Sequence, residues 1–254
     1  MLNGGTIFSA VTGDTATRTL PAIAGGNSLG DAADLVVDAV LSTVTDVDSP
    51  PPPDVGVANG AYGIGAEINF TIGFSRAVTV TGTPRIELEL GAVDRNATYL
   101  TSVPTYIFTY IVQEGDTTGE LAYNGANAFT LNGGSIFDTA TGVLPANLTL
   151  PIGGGNLLSL NKDVEIDGVR PTVTIENPTN GTMTLNRTIV LAFTAGDNYA
   201  TGSEAINYTV YVNGVANATG NTTNGYTQNL SLAGFIDGGY NISVNATDSV
   251  GNVY

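Results

Sequence analysis

Histidine, cysteine and tryptophan are absent from the 254 residues, and lysine and arginine together number only seven. Each absence excludes a chemistry. Without His and Cys the chain cannot build a Ser-His-Asp triad, a thiol nucleophile, a typical zinc site or a disulfide. Against 23 Asp and Glu, the few cations leave a formal net charge of −16. Such a surface repels phosphate backbones instead of releasing their counterions, so no nucleic-acid partner is expected. No uninterrupted apolar run approaches the roughly 20 residues of a membrane helix, so no membrane span is expected in this segment; Met1 is not followed by a basic stretch and an apolar core, so the expectation is that either a signal was removed or the chain is an excerpt. The lack of cysteine leaves the compartment open, because large extracellular β proteins of prokaryotes dispense with disulfides.

The length allows two domains, and 42% hydrophobic residues with 33 glycines suffice for two modest cores. The chain also repeats itself. Leu2-Asn-Gly-Gly-Thr-Ile-Phe8 recurs 129 residues later as Leu131-Asn-Gly-Gly-Ser-Ile-Phe137, with six of seven residues identical. The parallel runs on through Thr19-Leu20-Pro21 and Thr149-Leu150-Pro151, then Gly26-Asn27 and Gly155-Asn156. It ends with Asp34, Val37 and Asp38 against Asp163, Ile166 and Asp167. A period this long means tandem domains instead of a short-period solenoid.

The expected organisation follows from that register. Residues 1–49 form the C-terminal part of an incomplete repeat, so the chain is expected to start inside a domain. Residues 50–53 are a polyproline spacer, 54–167 a complete repeat, and 168–254 a further domain. Apolar and polar residues alternate as half-buried strands require. Ile68, Phe70, Ile72 and Phe74 fall on one side of a strand, and Ile86, Leu88 and Leu90, then Tyr106, Phe108 and Tyr110, repeat the arrangement between Gly, Pro, Asn and Asp turns. An all-β fold of tandem β-sandwiches is expected, with helix confined to short pieces such as Asp31–Asp34. In the last domain, strands are expected at 172–176, 189–194, 205–212, 226–232 and 240–246, which fits an immunoglobulin-like sandwich lacking its final strand. Tyr240, after the turn Asp237-Gly-Gly, stands where such folds place a tyrosine that hydrogen-bonds back to the backbone.

Several segments resemble a known family. Tyr62-Gly-Ile-Gly65, Glu67–Ser75, Val78-Thr-Val-Thr-Gly-Thr-Pro84, Phe108-Thr-Tyr-Ile-Val112, Leu131-Asn-Gly-Gly134 and Glu165-Ile-Asp167 resemble the tandem β-sandwich repeats of large prokaryotic cell-surface and adhesin-like proteins. Asp237-Gly-Gly-Tyr240, Val244-Asn-Ala-Thr-Asp248 and Gly251-Asn252 look like the end of the immunoglobulin-like modules of archaeal surface-layer-type glycoproteins. The resemblance implies an extracellular or cell-surface location and a structural role in a filament or array. The incomplete ends carry a separate expectation: either flanking residues of a longer polypeptide complete both domains, or the partners are copies of the chain itself, head to tail, with strand exchange between them. An adhesin stalk or a carbohydrate- or host-binding module is the alternative, and fold-level analogy does not choose between them.

Asn-x-Ser/Thr triplets number eleven, where composition alone predicts about four. Their asparagines are Asn69, Asn96, Asn147, Asn180, Asn186, Asn207, Asn217, Asn221, Asn229, Asn241 and Asn245, eight of them in the last 87 residues. An Asn/Thr-rich β surface makes some triplets by accident. Strand phase, however, turns Asn69, Asn207, Asn229, Asn241 and Asn245 toward water, as covalent N-glycans would require.

Carboxylates are the only groups left for catalysis, and no tryptophan platform accompanies them, so the chain is not expected to be an enzyme. Asp163, Glu165 and Asp167 stand at alternate positions of one strand before the Arg170-Pro171 seam, and Asp46, Asp48 and Asp54 flank the proline run. Calcium is the one ion such clusters suit, with a solvated acidic face as the competing reading; no other cofactor is expected. Asp197-Asn198 and Asp248-Ser249 read as turn formers, and Gly153-Gly-Gly155 as a turn instead of a phosphate loop.

Overall fold

The computed structural model describes residues 6–8, 10–15, 38–50, 56–101, 105–153, 157–198 and 205–254. The chain divides into two units, Met1–Val40 and Leu41–Tyr254. In the first, Phe8 bridges Thr15 in antiparallel sense. The proline run at 51–53, Asp54, the expected helical turn at 31–34 and most of the first repeat copy lie outside the described residues.

Among its described residues the second unit is all-β apart from one turn of helix. Its first half contains β1 (Val44–Asp48), β2 (Gly60–Tyr62), β3 (Glu67–Phe74), β4 (Val78–Thr81), β5 (Arg85–Glu89), β6 (Arg95–Thr101), β7 (Tyr106–Ile111), β8 (Thr117–Thr118), β9 (Ala122–Tyr123), β10 (Phe129–Thr130), β11 (Ser135–Asp138), the helix α1 (Leu158–Asn161) and β12 (Val164–Asp167). A main sheet runs β1-β3-β7-β6-β5-β10, with β9 also on β5; β11 pairs β4, and β2 and β8 flank β12.

Strand alternation sets the core. Ile68, Phe70 and Ile72 are buried as the pattern requires, as are Ile86, Leu88 and Leu90. Phe108 holds the centre, its ring edge-on to Tyr99 and Phe129 at 5.6 and 5.3 Å. The strand Val44–Asp48, grouped by the repeat register with residues 1–49, pairs antiparallel with β3, and its Val44 and Val47 sink into the same core as Phe70.

The second half pairs β13 (Thr172–Asn177), β14 (Thr188–Gly196) and β17 (Thr227–Ala233) in one sheet; β16 (Val215–Thr223), β15 (Ala205–Val212) and β18 (Ile242–Thr247) make another. Leu191 and Phe193 from the first sheet meet Tyr208, Val210 and Val244 from the second in one buried cluster. The Phe193 and Tyr208 rings cross edge-on at 5.0 Å. Such a pair contributes about 0.5–1.5 kcal/mol beyond its buried area.

Five of these strands follow the hydrophobic alternation. The sixth, β16, does not: its sequence Val-Ala-Asn-Ala-Thr-Gly-Asn-Thr-Thr is polar, and of its side chains only Thr222 is buried. It forms because Asn213 and Gly214 both take positive φ, 50° and 78°, the combination a two-residue hairpin turn requires. Tyr240 packs edge-on against Phe235 at 4.7 Å, and its hydroxyl accepts the Ile236 N–H at 3.1 Å, the backward tie expected of a tyrosine at that turn.

Candidate functional site

The polar groups that converge lie where β12 leads into β13. The connecting residues are held on both sides: Gly115 N–H donates to Gly168 O at 2.8 Å and Gly168 N–H to Asp116 O at 2.6 Å. Asp116 is itself buried, accepting from Arg95 Nε at 2.7 Å, Gln113 N–H at 2.9 Å and the Tyr110 hydroxyl. Burial, reinforced by the Asp116 carboxylate, pushes the Tyr110 hydroxyl far above its ordinary pKa, so it stays a donor at any physiological pH.

The loop after β18 closes the other side. Asn252 is 4% exposed, and its Nδ2 donates to Asp167 O at 2.8 Å and Val169 O at 3.1 Å. Its Oδ1 accepts the Ile64 N–H at 2.7 Å. Asp248 shapes this loop: its Oδ1 accepts Val250 N–H at 3.0 Å and Asn252 N–H at 2.8 Å, as an Asx turn does. Arg170 Nη1 reaches Val253 O at 2.6 Å, and its Nε lies 3.5 Å from Glu114.

Asp167, Asp197 and Asp248 come together at this junction, one carboxylate oxygen from each lying within 4.8 Å of the others. Asp167 ends β12, Asp197 follows β14 and Asp248 follows β18. They are 0%, 9% and 3% exposed. Asp167 Oδ1 accepts the Val169 N–H at 3.1 Å, and Asp197 is framed by Asn224, whose amide exchanges two hydrogen bonds with its backbone at 2.9 and 2.8 Å. Asp248 Oδ2 is buried and receives no hydrogen bond.

The trio Asp163, Glu165 and Asp167 is not brought together in this way. Val164 and Ile166 point into the core, Asp163 is exposed, Glu165 is half-buried, and only Asp167 turns inward at the strand end. Among the described residues neither Asp163 nor Glu165 joins a cluster of three acids. Asp46 and Asp48 lie half-buried on β1, where Asp46 accepts from Asn161 at 3.2 Å and Asp48 from Ser49 N–H at 2.7 Å. Sequence reasoning missed Asp197 and Asp248 because each has the ordinary signature of a turn. The signal available was positional: both acids immediately follow an apolar strand, as Asp167 ends one.

Of the sequon asparagines, ten of eleven are exposed. Asn69 is the exception, half-buried, with Nδ2 donating to Glu67 at 2.8 Å, Oδ1 buried, and its backbone O accepting from Ser49 Oγ at 2.6 Å. In the sheet β16-β15-β18, Asn207 stands opposite both Asn221 and Thr247, and Thr209 opposite Asn245. Asn207, Asn221 and Asn245 therefore share the solvent face of a single sheet.

Compared with protein-family models, curated proteins and solved structures, the chain matches none of them. Among the described residues no helix is long and apolar enough to cross a membrane.

Proposed function

We propose that the chain is a structural glycoprotein module of the cell exterior, whose work is spacing, shielding and self-association in a surface filament or array. The observation that carries this reading is the sequon face. Three of its asparagines, Asn207, Asn221 and Asn245, crowd one solvent-facing sheet surface beside threonines, the arrangement a glycan coat requires. Asp167, Asp116 and Asn252, buried polar groups of the junction, tie β-sheet segments to one another, as a load-transmitting module demands.

Self-association has an edge to use. Among the described residues β18 pairs with β15 along one side, and along the other only Thr247 pairs with Val253. An extended segment of a second copy fits such an edge and propagates head to tail. Intact-mass measurement and electron microscopy of natively purified material test the proposal: added glycan mass and a periodic fibre or lattice are expected. A bare polypeptide mass on isolated particles overturns it.

One observation favours an adhesin or binding module instead. At the end of the second half opposite the junction, a groove is lined by Asn177, Met183, Phe235, Ile236 and Tyr240, and Met183 and Leu185 are almost fully exposed. Glycan-array or cell-adhesion binding by the unglycosylated chain would select that reading.

A further inference from the structure

We propose that Asp167, Asp197 and Asp248 form a calcium site that clamps the end of β12 to the loops following β14 and β18. The inference rests on geometry alone and stands apart from the surface role proposed above.

The first argument is distance. Calcium binds oxygen at about 2.3–2.6 Å, so two oxygens on one ion lie at most about 4.6–5.2 Å apart. The three carboxylate oxygens, within 4.8 Å of one another, meet that limit from three separate segments of the chain. The second argument is the state of Asp248. It is 3% exposed, and its Oδ2 is buried without a hydrogen-bond donor, although its Oδ1 accepts two backbone N–H groups. Those two bonds orient the carboxylate, and one of its oxygens lies within 4.8 Å of an oxygen from each of Asp167 and Asp197. Among the described residues no lysine or arginine pairs with Asp248. A buried carboxylate oxygen is costly to leave uncompensated, and two more carboxylates beside it add repulsion. A divalent cation at their focus removes both penalties.

Chemistry selects the ion. Every available donor is oxygen, and the chain has no His or Cys, which disfavours zinc and the softer metals. Magnesium demands near-octahedral geometry at about 2.0–2.1 Å and keeps several waters, which Asp167 and Asp248, almost wholly buried, leave little room for. Calcium accepts irregular sets of about six to eight oxygens, and Asp197, at 9% exposure, marks the side from which water completes the shell.

The site also has a mechanical consequence. Asp167 belongs to the first half, and Asp197 and Asp248 to the second. An ion held by all three welds the halves at the junction where Asn252 and Arg170 already bridge them.

The test uses the full chain, stripped with a chelator and dialysed. Isothermal titration with calcium chloride should show one site, and calcium about a hundredfold above Kd should raise Tm by about 5 °C or more. Terbium luminescence sensitised by tyrosine should appear and be displaced by calcium. Asp248→Asn should abolish the Tm response while keeping the β-sheet circular dichroism. If that variant does not fold, Asp197→Asn and the wild-type titration decide. A stripped, folded chain that neither takes up calcium nor gains stability overturns the site, and an equal Tm rise with magnesium at the same concentration overturns calcium as its ion.

Discussion

The side chain of Asn252 accepts the backbone N–H of Ile64 at 2.7 Å across 188 residues of sequence. The same carboxamide donates to Asp167 O and Val169 O, so one side chain serves the β2–β3 loop, the exit of β12 and its own loop after β18. The bond to Asp167 O is buried and the other two are part-buried, so water replaces a lost partner poorly. Asn252→Ala leaves one backbone donor and two acceptors short, at about 1–3 kcal/mol for each group truly stranded. An overall loss of about 2–4 kcal/mol is expected by urea denaturation. A loss within about 0.5 kcal/mol, the range of a surface substitution, would show that the junction does not bear on stability.

Gly63 faces the same loop. A Cβ placed there would sit 2.8 Å from Asn252 Oδ1 and 2.9 Å from Val250 O, and the latter is backbone that cannot swing aside. Gly63→Ala should therefore cost about 1–3 kcal/mol through overpacking, although alanine usually stabilises a chain by restricting its unfolded state. Gly65, two residues on, has open space around its missing Cβ but a φ of +85°, so Gly65→Ala measures conformational strain without the clash. Thermal unfolding of both variants separates close approach from backbone strain. Asn252→Ala combined with Gly63→Ala should destabilise by less than the sum, because the two residues are in contact.

The sequence made some of this legible and hid the rest for physical reasons. Strands such as Glu67–Phe74 and Ala205–Val212 were readable because one face is buried and the side-chain alternation follows it. Strand Val215–Thr223 was not, since its inward face contributes only Thr222 to the buried set; the Asn213-Gly214 turn was the stronger signal. Asp163, Glu165 and Asp167 looked alike in sequence, yet the first two stay on the outer side and Asp167 turns inward at the strand end. Its partners, Asp197 and Asp248, lie in loops that only the packing of β14 and β18 brings to one end of the sheets. Periodicity reports which face a residue takes within an element, and it carries no information about which loops meet.

Asp138 offers a pH-dependent handle at the opposite side of the first half. Burial alone pushes its carboxyl up, but hydrogen bonds from Ser42 Oγ at 2.9 Å, Thr141 N–H at 3.1 Å and Ala140 N–H at 2.9 Å outweigh it. Together with the Arg76 guanidinium at 3.2 Å they hold its pKa below the ordinary value of 3.8. A carboxyl whose folded pKa lies below its unfolded one releases its proton more readily in the native state. Its contribution is full above the unfolded value and is lost as pH falls through the folded one. Wild type should therefore be more stable than Asp138→Asn near neutrality, and the gap should close as pH falls below about 4. Urea midpoints of the two proteins measured across that range check the sign; a gap that widens in acid contradicts it.

The sequon asparagines separate by burial into a testable pattern. Asn69 is half-buried, its Nδ2 hydrogen-bonded to Glu67 and its Oδ1 enclosed, so a glycan there would have to break that bond and open the packing around the side chain. Asn207, Asn221 and Asn245 stand on an open sheet face. Under the glycoprotein reading, peptide mapping of native material should find Asn69 unmodified and the open-face sites modified. Asn207 and Asn221 are direct cross-strand partners, and directly opposite residues have Cβ atoms about 4.5–5.5 Å apart, too close for two glycan cores to leave side by side without crowding. Occupancy should therefore alternate, each molecule carrying sugar at Asn207 or Asn221 and few carrying both. On the unglycosylated chain, Asn207→Gln should change stability by less than about 0.5 kcal/mol, because an exposed side chain there makes no packing contribution. Full occupancy of Asn69 beside bare Asn207 and Asn221 would mean that modification ignores the folded surface, and would remove sequon exposure as support for the proposed coat.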